Sequence, residues 1–437
     1  MPLYNEGRFN PAICTVTSMK TSCDICVIGN GAIGKASALA LAQAGLKVVL
    51  VAPSQRQTQL PDQAAKPTES AKPVPNDPWD HRVYALNPVA RALLHSLKVW
   101  DAMDAARIAP VDAMAVQGDA PDQSGMIHFD AYGARVGALA WIVEDSNLNR
   151  ALDAALRFAS GLALVSGAAR ALNRTPDAAE ITLDTGDIIN ARLVIGADGA
   201  HSWVRTQADI GMDYRSYHQR AVVANFATEH SHQGVARQWF LGTEGIVALL
   251  PLAGHRVSLV WSAPEALAEQ LLNESAEQLA QRLMHLPGQT LGQLSLLPPA
   301  EPKAFPLRLI RSRSLIADRV ALIGDAAHVI HPLAGQGMNL GFADIQALLD
   351  AIAKRDLLAD CGDARTLGRY ARSRKEEVLL MQITTDGLQR LFASDLAPVK
   401  VLRNAGMNLV NKLPFLKRRL ITHALGSSLS LPTDSPR

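Results

Sequence analysis

The sequence Gly-Asn-Gly-Ala-Ile-Gly at residues 29–34 decides the fold. It follows an apolar run at residues 25–28 and precedes an alanine- and leucine-rich pattern that reaches Ala44. This order predicts a buried strand, a glycine turn and a helix. Gly45 is the glycine expected after such a helix, and residues 46–51 predict a second buried, parallel strand. The segment therefore predicts a βαβ unit.

Each glycine of the turn has its own task in such a unit. Gly29 permits the tight turn, Gly31 lets the backbone approach a pyrophosphate at the helix N-terminus, and Gly34 lets helix and strand pack closely. Together with Ala32 and Ile33, these glycines predict a dinucleotide-binding site.

One part of the usual dinucleotide fingerprint is absent. An acidic residue is expected about 20 positions further on, where it binds the ribose of the adenosine. The first acidic residue after the glycine turn is Asp62. Either Ser54, Gln55 or Arg56 takes this role, or backbone groups hold that end of the dinucleotide.

Composition and charge exclude several classes of protein. The 437 residues are 48% hydrophobic and 19% charged, which predicts a globular protein rather than a disordered chain. The length predicts two or three domains, and we expect two that interleave. Lysine and arginine (43) nearly balance aspartate and glutamate (41), so no nucleic-acid partner is expected. No run of about 18 apolar residues and no signal peptide is present, which favours a cytoplasmic protein.

The four cysteines, Cys14, Cys23, Cys26 and Cys361, are too few and too scattered for a disulfide framework. Cys23 and Cys26 form a C-x-x-C motif that enters the first predicted strand. Residues three apart in a strand point to opposite faces, so we expect neither a disulfide nor a metal site there.

Two further segments combine a strand with a small-residue turn. Residues 191–205 predict a buried strand, fed by a hairpin, and a turn at Asp198 and Gly199 before a helix. Residues 319–328 predict a strand that ends at Gly324 and Asp325, followed by a proline- and glycine-rich loop and a new helix. A carboxylate at this end of a strand suits a sugar-like hydroxyl group.

Several other stretches predict ordinary structural roles when they are read alone. Residues 54–78 predict a flexible insert, and Asn87 with Pro88 predicts the start of a helix. Arg82, just upstream, is typical of a solvated or salt-bridged arginine. His328 and His331 have no cysteine or carboxylate at metal spacing, so we expect them to be structural and expect no metal site.

Four short runs between residues 219 and 261 predict an antiparallel sheet. The large apolar residues in these runs are typical of a core or of a pocket wall. They are Trp239, Phe240, Leu249 and Leu250.

The glycine turn and the two aspartate-bearing turns, in this order, resemble the FAD-dependent aromatic hydroxylases of the para-hydroxybenzoate hydroxylase fold, from Cys23 to about Arg390. Within them, residues 80–86 and 324–341 are similar to the ubiquinone-biosynthesis hydroxylases. The resemblance implies an α/β fold in which a Rossmann-like FAD-binding domain of the glutathione-reductase type, with a parallel sheet, interleaves with an antiparallel-sheet substrate domain before C-terminal helices. The implied segments are an N-terminal extension (1–22), the first part of the FAD-binding domain (23–215, with the insert 54–78), the substrate domain (216–302), the second FAD-binding part (303–355) and the helical C-terminal region (356–437).

The resemblance also implies roles for single residues around a non-covalent FAD. Asp325 would bind a ribityl hydroxyl group, Arg82 would contact the phosphates, and Asp198 and Gly199 would border FAD and the route of the nicotinamide donor. The sheet would cover the substrate pocket, which makes Trp239, Phe240, Leu249 and Leu250 candidate wall residues. The residues beside the isoalloxazine would be Pro332, Gly335, Gln336 and Gly337. The full implied cofactor set is Gly29, Gly31, Ala32, Ile33, Gly34, Arg82, Asp198, Gly199, Gly324, Asp325, Pro332, Gly335, Gly337, Met338 and Asn339.

The implied function is hydroxylation of a polyprenyl phenol or benzoquinol precursor of ubiquinone. NAD(P)H would reduce FAD as a transient donor, O₂ would add at flavin C4a, and the hydroperoxide would transfer one oxygen atom to the ring. The sequence names no general base. Two alternatives stay open, a flavin-dependent dehydrogenase or polyprenyl reductase and a non-catalytic FAD-bound assembly factor.

Residues 398–426 are basic, contain no acidic residue and interleave apolar positions. Such a segment suits an anionic membrane surface at its cytoplasmic face, a protein of ubiquinone biosynthesis, or packing on its own domain with a solvated basic face.

Overall fold

The computed structural model describes residues 19–52, 78–118, 126–298, 301–331, 335–356 and 358–393. Residues 1–18 of the expected extension 1–22, most of the insert 54–78 and the basic segment 398–426 lie outside these ranges, and residues 20–22 belong to β1. In the described ranges, the strands in chain order are β1 (Lys20–Ile28), β2 (Val48–Ala52), β3 (Val83–Leu86), β4 (Ile108–Val111), β5 (Ala113–Gln117), β6 (Met126–Asp130), β7 (Ala140–Glu144), β8 (Leu162–Ser166), β9 (Ala169–Arg174), β10 (Ala179–Leu183), β11 (Ile188–Gly196), β12 (Met212–Thr228), β13 (Val235–Phe240), β14 (Ile246–Leu252), β15 (Arg256–Pro264), β16 (Leu294–Leu296), β17 (Lys303–Ser312), β18 (Ile316–Ala317), β19 (Val320–Leu322) and β20 (His328–Val329). The helices are α1 (Ala32–Gln43), α2 (Pro88–Ser96), α3 (Ala131–Ala134), α4 (Asp145–Arg157), α5 (Trp203–Gln207), α6 (Glu265–Asn273), α7 (Ala276–Met284), α8 (Gln336–Ala353) and α9 (Ala364–Ala393).

The first sheet has the strand order β18-β19-β11-β1-β2-β8, with the β9–β10 hairpin beside β11. Strand β1 lies at its centre and runs parallel to both β2 and β11. The predicted βαβ unit is confirmed, as is the hairpin, because β10 pairs antiparallel with β11. Since β1, β2, β11 and β19 are parallel, their carboxyl ends meet at one edge of the sheet, where ligands bind in open α/β sheets.

The second sheet has the order β20-β17-β12-β15-β14-β13-β5-β6, and β16 also pairs with β12. Its central antiparallel strands are those expected between residues 219 and 261. Four further strands, β5, β6, β17 and β20, come from segments that the sequence analysis gave to the FAD-binding domain. Pairing between distant segments leaves no local signal in the sequence, so the sequence could not assign these strands to the second sheet.

The two faces of the second sheet have different neighbours. Helices α6 and α7 cover one face and bury a core that includes Phe226 and Trp261. The other face lies against the three-stranded sheet β3-β7-β4, where Leu252 packs with Ile142. This second face is therefore the one turned toward the FAD-binding part of the chain.

The C-terminal helices close the first core. Phe342 and Ile345 of α8 are fully buried in the same cluster as α1 and β1. From α9, the hydroxyl group of Tyr370 donates a hydrogen bond to the carbonyl oxygen of Leu322 at the end of β19, at 2.7 Å. The expected α/β fold, with a parallel and an antiparallel sheet and C-terminal helices, is confirmed.

Candidate functional site

Two glycines of the turn, Gly29 and Gly34, have no room for a side chain, whereas Gly31 lies at an open side of the turn. A Cβ atom on Gly29, which has φ +124°, would lie 2.2 Å from the carbonyl oxygen of Ala197. One on Gly34 would lie 2.0 Å from the carbonyl oxygen of Gly29, whereas one on Gly31 would meet nothing within 4 Å. The first N–H groups of α1 have no partner within the helix, and its first turn holds no acidic residue. The turn therefore fits a phosphate group that approaches from the open side.

Ile33 joins the glycine turn to the two later motifs. Its side chain lies 3.2 Å from where a Cβ atom on Gly324 would be and 2.8 Å from the same point on Gly341 in α8. The structure thus brings together three segments that are far apart in the sequence.

Asp325 follows β19 in the turn that Ile33 contacts. Its side chain is exposed, yet the surrounding protein desolvates the carboxylate and raises its pKa, while His328, Arg82 and Arg308 act in the opposite direction. An exposed carboxylate that is also desolvated lies in a cleft. Asp325 is therefore placed to accept a hydrogen bond from a hydroxyl group of a bound molecule.

Arg82 faces the same cleft from the segment before β3. Its guanidinium lies over the ring of Tyr84, at 5.5 Å, and the hydroxyl group of Tyr84 donates to Asp145 at 2.6 Å. Burial lowers the pKa of Arg82, but the charges of Tyr84, Asp145, Asp325 and Asp80 raise it, and the net shift is upward. Arg82 therefore stays cationic beside Asp325, as a contact to phosphate requires.

The backbone that carries Arg82 is anchored by a carboxylate that the sequence analysis missed. Glu144, fully buried, accepts hydrogen bonds from Nε and Nη2 of Arg107, at 2.6 and 2.8 Å, and from the amide of Asp80, at 2.6 Å. The carbonyl oxygen of Asp80 accepts from Nδ2 of Asn225 on β12, at 2.8 Å. Because Arg107 and Glu144 are far apart in the chain, no local spacing could have revealed this pair.

Asp198 and Gly199 lie at the same edge of the first sheet, but the carboxylate is already bonded. It accepts a hydrogen bond from Oγ of Ser202 at 2.5 Å and one from the amide of Val204 at 3.0 Å. Asp198 therefore stabilises the start of α5. Gly199 has φ +82°, and a Cβ atom there would meet nothing within 4 Å.

The start of α8 lies against β3. Gly335, in the left-handed conformation, precedes the helix, and a Cβ atom on it would lie 3.1 Å from Cβ of Ala85. Among the described residues no side chain caps the helix, so within them the N–H groups that begin with Gln336 and Gly337 have no capping partner. Pro332, which the resemblance places nearby, lies outside the described residues.

Two other predicted cofactor residues of α8 have structural contacts. Nδ2 of Asn339 donates to the carbonyl oxygen of Ala85 at 2.8 Å, and its Oδ1 accepts from the amide of Asn87 at 2.9 Å. These bonds tie α8 to β3 and to the cap of α2, which Asn87 forms as predicted. Met338 packs against the first core.

The four candidate wall residues divide between the two faces of the second sheet. Trp239 and Leu249 are buried in the core beneath α6 and α7, and Nε1 of Trp239 donates to the carbonyl oxygen of Pro287 at 2.8 Å. These two residues thus face away from the FAD-binding part, because neighbouring residues of a strand alternate between faces. Phe240 and Leu250 lie on the opposite face, in clusters with β5 and β6 and with β3 and β7.

The two histidines of the third motif have different surroundings. His328 is bonded to Asp344, another buried residue that the sequence analysis missed. His331 has no exposed surface, and its ring packs edge to face on Tyr217 with centroids 5.0 Å apart. Burial lowers the pKa of His331 to about 4, so the ring is neutral at physiological pH. Within the described ranges, no three His, Cys, Asp or Glu residues are placed to hold a metal ion.

The cysteines are all free thiols where the structure describes them. Burial raises the pKa of Cys23 to about 12 and raises that of Cys26 as well. Neither thiol therefore has the character of a reactive thiolate.

Comparison with known proteins identifies relatives along almost the whole chain. A family model described as an FAD binding domain matches residues 155–381, and one described as glucose inhibited division protein A matches residues 24–225. Ubiquinone hydroxylase UbiL of Rhodospirillum rubrum is 34% identical over 95% of this chain and 92% of its own length. The 3-demethoxyubiquinol 3-hydroxylase of Escherichia coli is 33% identical over 92% of this chain and 98% of its own length. Ubiquinone biosynthesis monooxygenase COQ6 of Danio rerio is 31% identical over 93% of this chain and 90% of its own length.

Solved structures share the fold. The p-nitrophenol 4-monooxygenase PnpA of Pseudomonas putida superposes with a TM-score of 0.70 at 18% identity, covering 94% of this chain and 100% of its own. PqsL of P. aeruginosa superposes with a TM-score of 0.69 at 22% identity, covering 89% of this chain and 100% of its own. With its two-sheet fold, its dinucleotide cleft and these relatives, the chain belongs to the FAD-dependent ubiquinone-biosynthesis hydroxylases, within the flavoprotein monooxygenases of the para-hydroxybenzoate hydroxylase type.

Proposed function

We propose that this protein is an NAD(P)H- and O₂-dependent monooxygenase that hydroxylates the aromatic ring of a prenylated ubiquinone precursor. The relatives named above support the reaction class and the substrate class. The observation that carries the proposal is the meeting of the glycine turn, the Asp325 turn and the second turn of α8 around Ile33. This arrangement offers phosphate, hydroxyl and ring contacts along one cleft.

The described residues fit FAD. The open side of Gly31 and the N–H groups of α1 would hold the pyrophosphate, with Arg82 as a second phosphate contact. Asp325 would accept from a ribityl hydroxyl group, and the free N–H groups at the start of α8 would face the isoalloxazine. Bound FAD supplies the redox chemistry that activates O₂ with electrons from NAD(P)H.

The face of the second sheet that carries Phe240 and Leu250 would cover the aromatic substrate. Both residues belong to apolar clusters on the side of the FAD-binding part. An apolar wall suits a prenylated ring and excludes water from the reacting atoms. We extend the substrate domain to include β5, β6, β17 and β20, which complete this sheet.

An isotope experiment tests the proposal. The FAD-loaded protein is given NADH or NADPH, ¹⁸O₂ and a short-tailed prenyl phenol, and product mass and peroxide are followed together. A product that gains one ¹⁸O atom supports the monooxygenase. Donor oxidation with a reduced substrate but no ¹⁸O identifies the dehydrogenase or reductase, and FAD retention without donor oxidation across a panel of phenols identifies the assembly factor.

We also propose that the C-terminal region contacts an anionic membrane surface. Leu379, Leu380 and Ile383 of α9 are 39%, 43% and 60% exposed and share one side of the helix, which leads toward the basic residues 398–426. No helix within the described ranges has the length and apolarity needed to cross a membrane. Sedimentation with phosphatidylglycerol vesicles, but not with phosphatidylcholine vesicles, is the expected result. Equal recovery in the supernatant with both would contradict it.

A further inference from the structure

We infer that Asp344 is a positioning residue of the cofactor cleft, which fixes the turn that presents Asp325 and so sets the affinity for FAD. Asp344 lies in α8 and has no exposed surface. Of the residues that the sequence analysis assigned to the cofactor, Gly324 donates a hydrogen bond to it.

One carboxylate holds the chain on both sides of Asp325. Oδ2 of Asp344 accepts a hydrogen bond from the amide of Gly324 at 2.9 Å and contacts Nε2 of His328 at 2.8 Å. Gly324 begins a short 3-10 turn that no neighbouring side chain caps. Asp344 therefore acts as the cap from a distant helix, while the side chain of Asp325, between the two anchored residues, is free to face the cleft.

The other oxygen of Asp344 is bonded to α9. Oδ1 accepts from Nε of Arg374 at 2.7 Å, and Arg374 is only 2% exposed. Nη2 of Arg374 donates to the carbonyl oxygen of Leu340 at 3.3 Å, and its Nη1 pairs with Glu377. This guanidinium offsets the cost of a buried carboxylate, since a buried charge is tolerated only when it is paired and hydrogen-bonded.

The charges agree with this geometry. Burial raises the pKa of Asp344, but His328, Arg374 and the amide of Gly324 lower it by more. The net shift of the pKa is downward, so the group stays ionised in the core. An ionised carboxylate accepts hydrogen bonds on both of its oxygens, whereas a neutral amide of the same shape accepts on one oxygen and can only donate from its nitrogen. Through Arg374, the turn thus depends on α9, which begins about 40 residues after Asp325.

The test compares FAD affinity with the stability of the apoprotein, because a merely structural role would change only the second. Asp344→Asn places an N–H group against at least one of the donors Gly324, His328 and Arg374. We expect it to raise the Kd for FAD about tenfold or more, as follows from the loss of a hydrogen bond to a charged group. Titration of the apoprotein with FAD, followed by flavin fluorescence, gives the Kd.

Tyr370→Phe is the matched control. It removes another buried bond from α9, to Leu322 just before the turn, and leaves Asp344 intact. It should lower the urea midpoint of the apoprotein yet change the Kd for FAD by less than about twofold. If Asp344→Asn behaves in the same way, with a lower midpoint and an unchanged Kd, the inference is wrong.

Arg374→Lys keeps the test decisive if Asp344→Asn does not fold. The lysine retains the charge and one donor but loses the fork that fixes the carboxylate, so the Kd for FAD should rise about threefold. An unchanged Kd in this variant would also overturn the inference. The inference rests on FAD binding, not on the proposed hydroxylation, and no substrate enters the measurement, so the two can fail separately.

Discussion

The carbonyl oxygen of Gly29 lies 2.0 Å from the point that a Cβ atom on Gly34 would occupy. No side chain fits there without moving the backbone of the turn. At Gly31, in the same turn and with an ordinary extended conformation, a Cβ atom would enter open space. Two positions of one motif therefore need glycine for different physical reasons. Gly34 allows the close packing of helix and turn, and Gly31 leaves room for a ligand to approach the backbone.

The first prediction separates these two reasons. Gly34→Ala should destabilise the apoprotein by at least about 3 kcal/mol, because the clash is with backbone. Gly31→Ala should leave the apoprotein within about 0.5 kcal/mol of wild type and weaken FAD binding. Urea unfolding and FAD titration of both variants check this. Equal loss of stability in the two variants would contradict the division of roles.

The second prediction concerns Asp325→Asn. Desolvation raises the pKa of Asp325 in the folded protein, so above its folded pKa the ionised group costs stability. The variant should weaken FAD binding while making the apoprotein more stable at neutral pH. As the pH falls through the folded pKa toward that of the unfolded chain, this gain in stability should disappear. Urea unfolding of the apoprotein at pH 7 and at about pH 4 measures it, and a variant less stable than wild type at pH 7 would count against the cleft assignment.

The sequence predicted what depends on neighbouring residues. The βαβ unit, the turn at Gly324 and the cap at Asn87 each follow from a short spacing, and the structure has all three. The face to which Trp239 points depends on where α6 and α7 pack, and the bond between Asp344 and Arg374 joins two helices. Such relationships between distant segments have no periodic signal, so they needed the structure.

The third prediction uses two adjacent leucines of β14. Leu249 is 1% exposed in the core beneath α6 and α7, whereas Leu250 lies on the opposite face, toward the three-stranded sheet β3-β7-β4. Leu249→Ala should cost about 2–5 kcal/mol of stability with little change in KM. Leu250→Ala should cost less stability and raise the KM for a prenylated substrate more than that for a substrate without the tail. A KM effect confined to Leu249→Ala would place the pocket on the other face.

The last prediction follows from the burial of His331. Its pKa is lowered to about 4 in the folded protein, against 6.5 in the unfolded chain. Between these values the unfolded chain binds the extra proton, so stability is present above pH 6.5 and is lost as the pH falls, by up to about 3 kcal/mol. His331→Gln cannot titrate and should lose less stability over this range than wild type does.

The control for His331 is His95, whose side chain is 61% exposed. His95→Gln shows what the loss of an exposed imidazole does to the same unfolding curves. Urea unfolding at several pH values between 4 and 7 compares the three proteins. If His331→Gln and wild type lose stability in parallel, the histidine is charged in the folded protein and the packing on Tyr217 does not desolvate it.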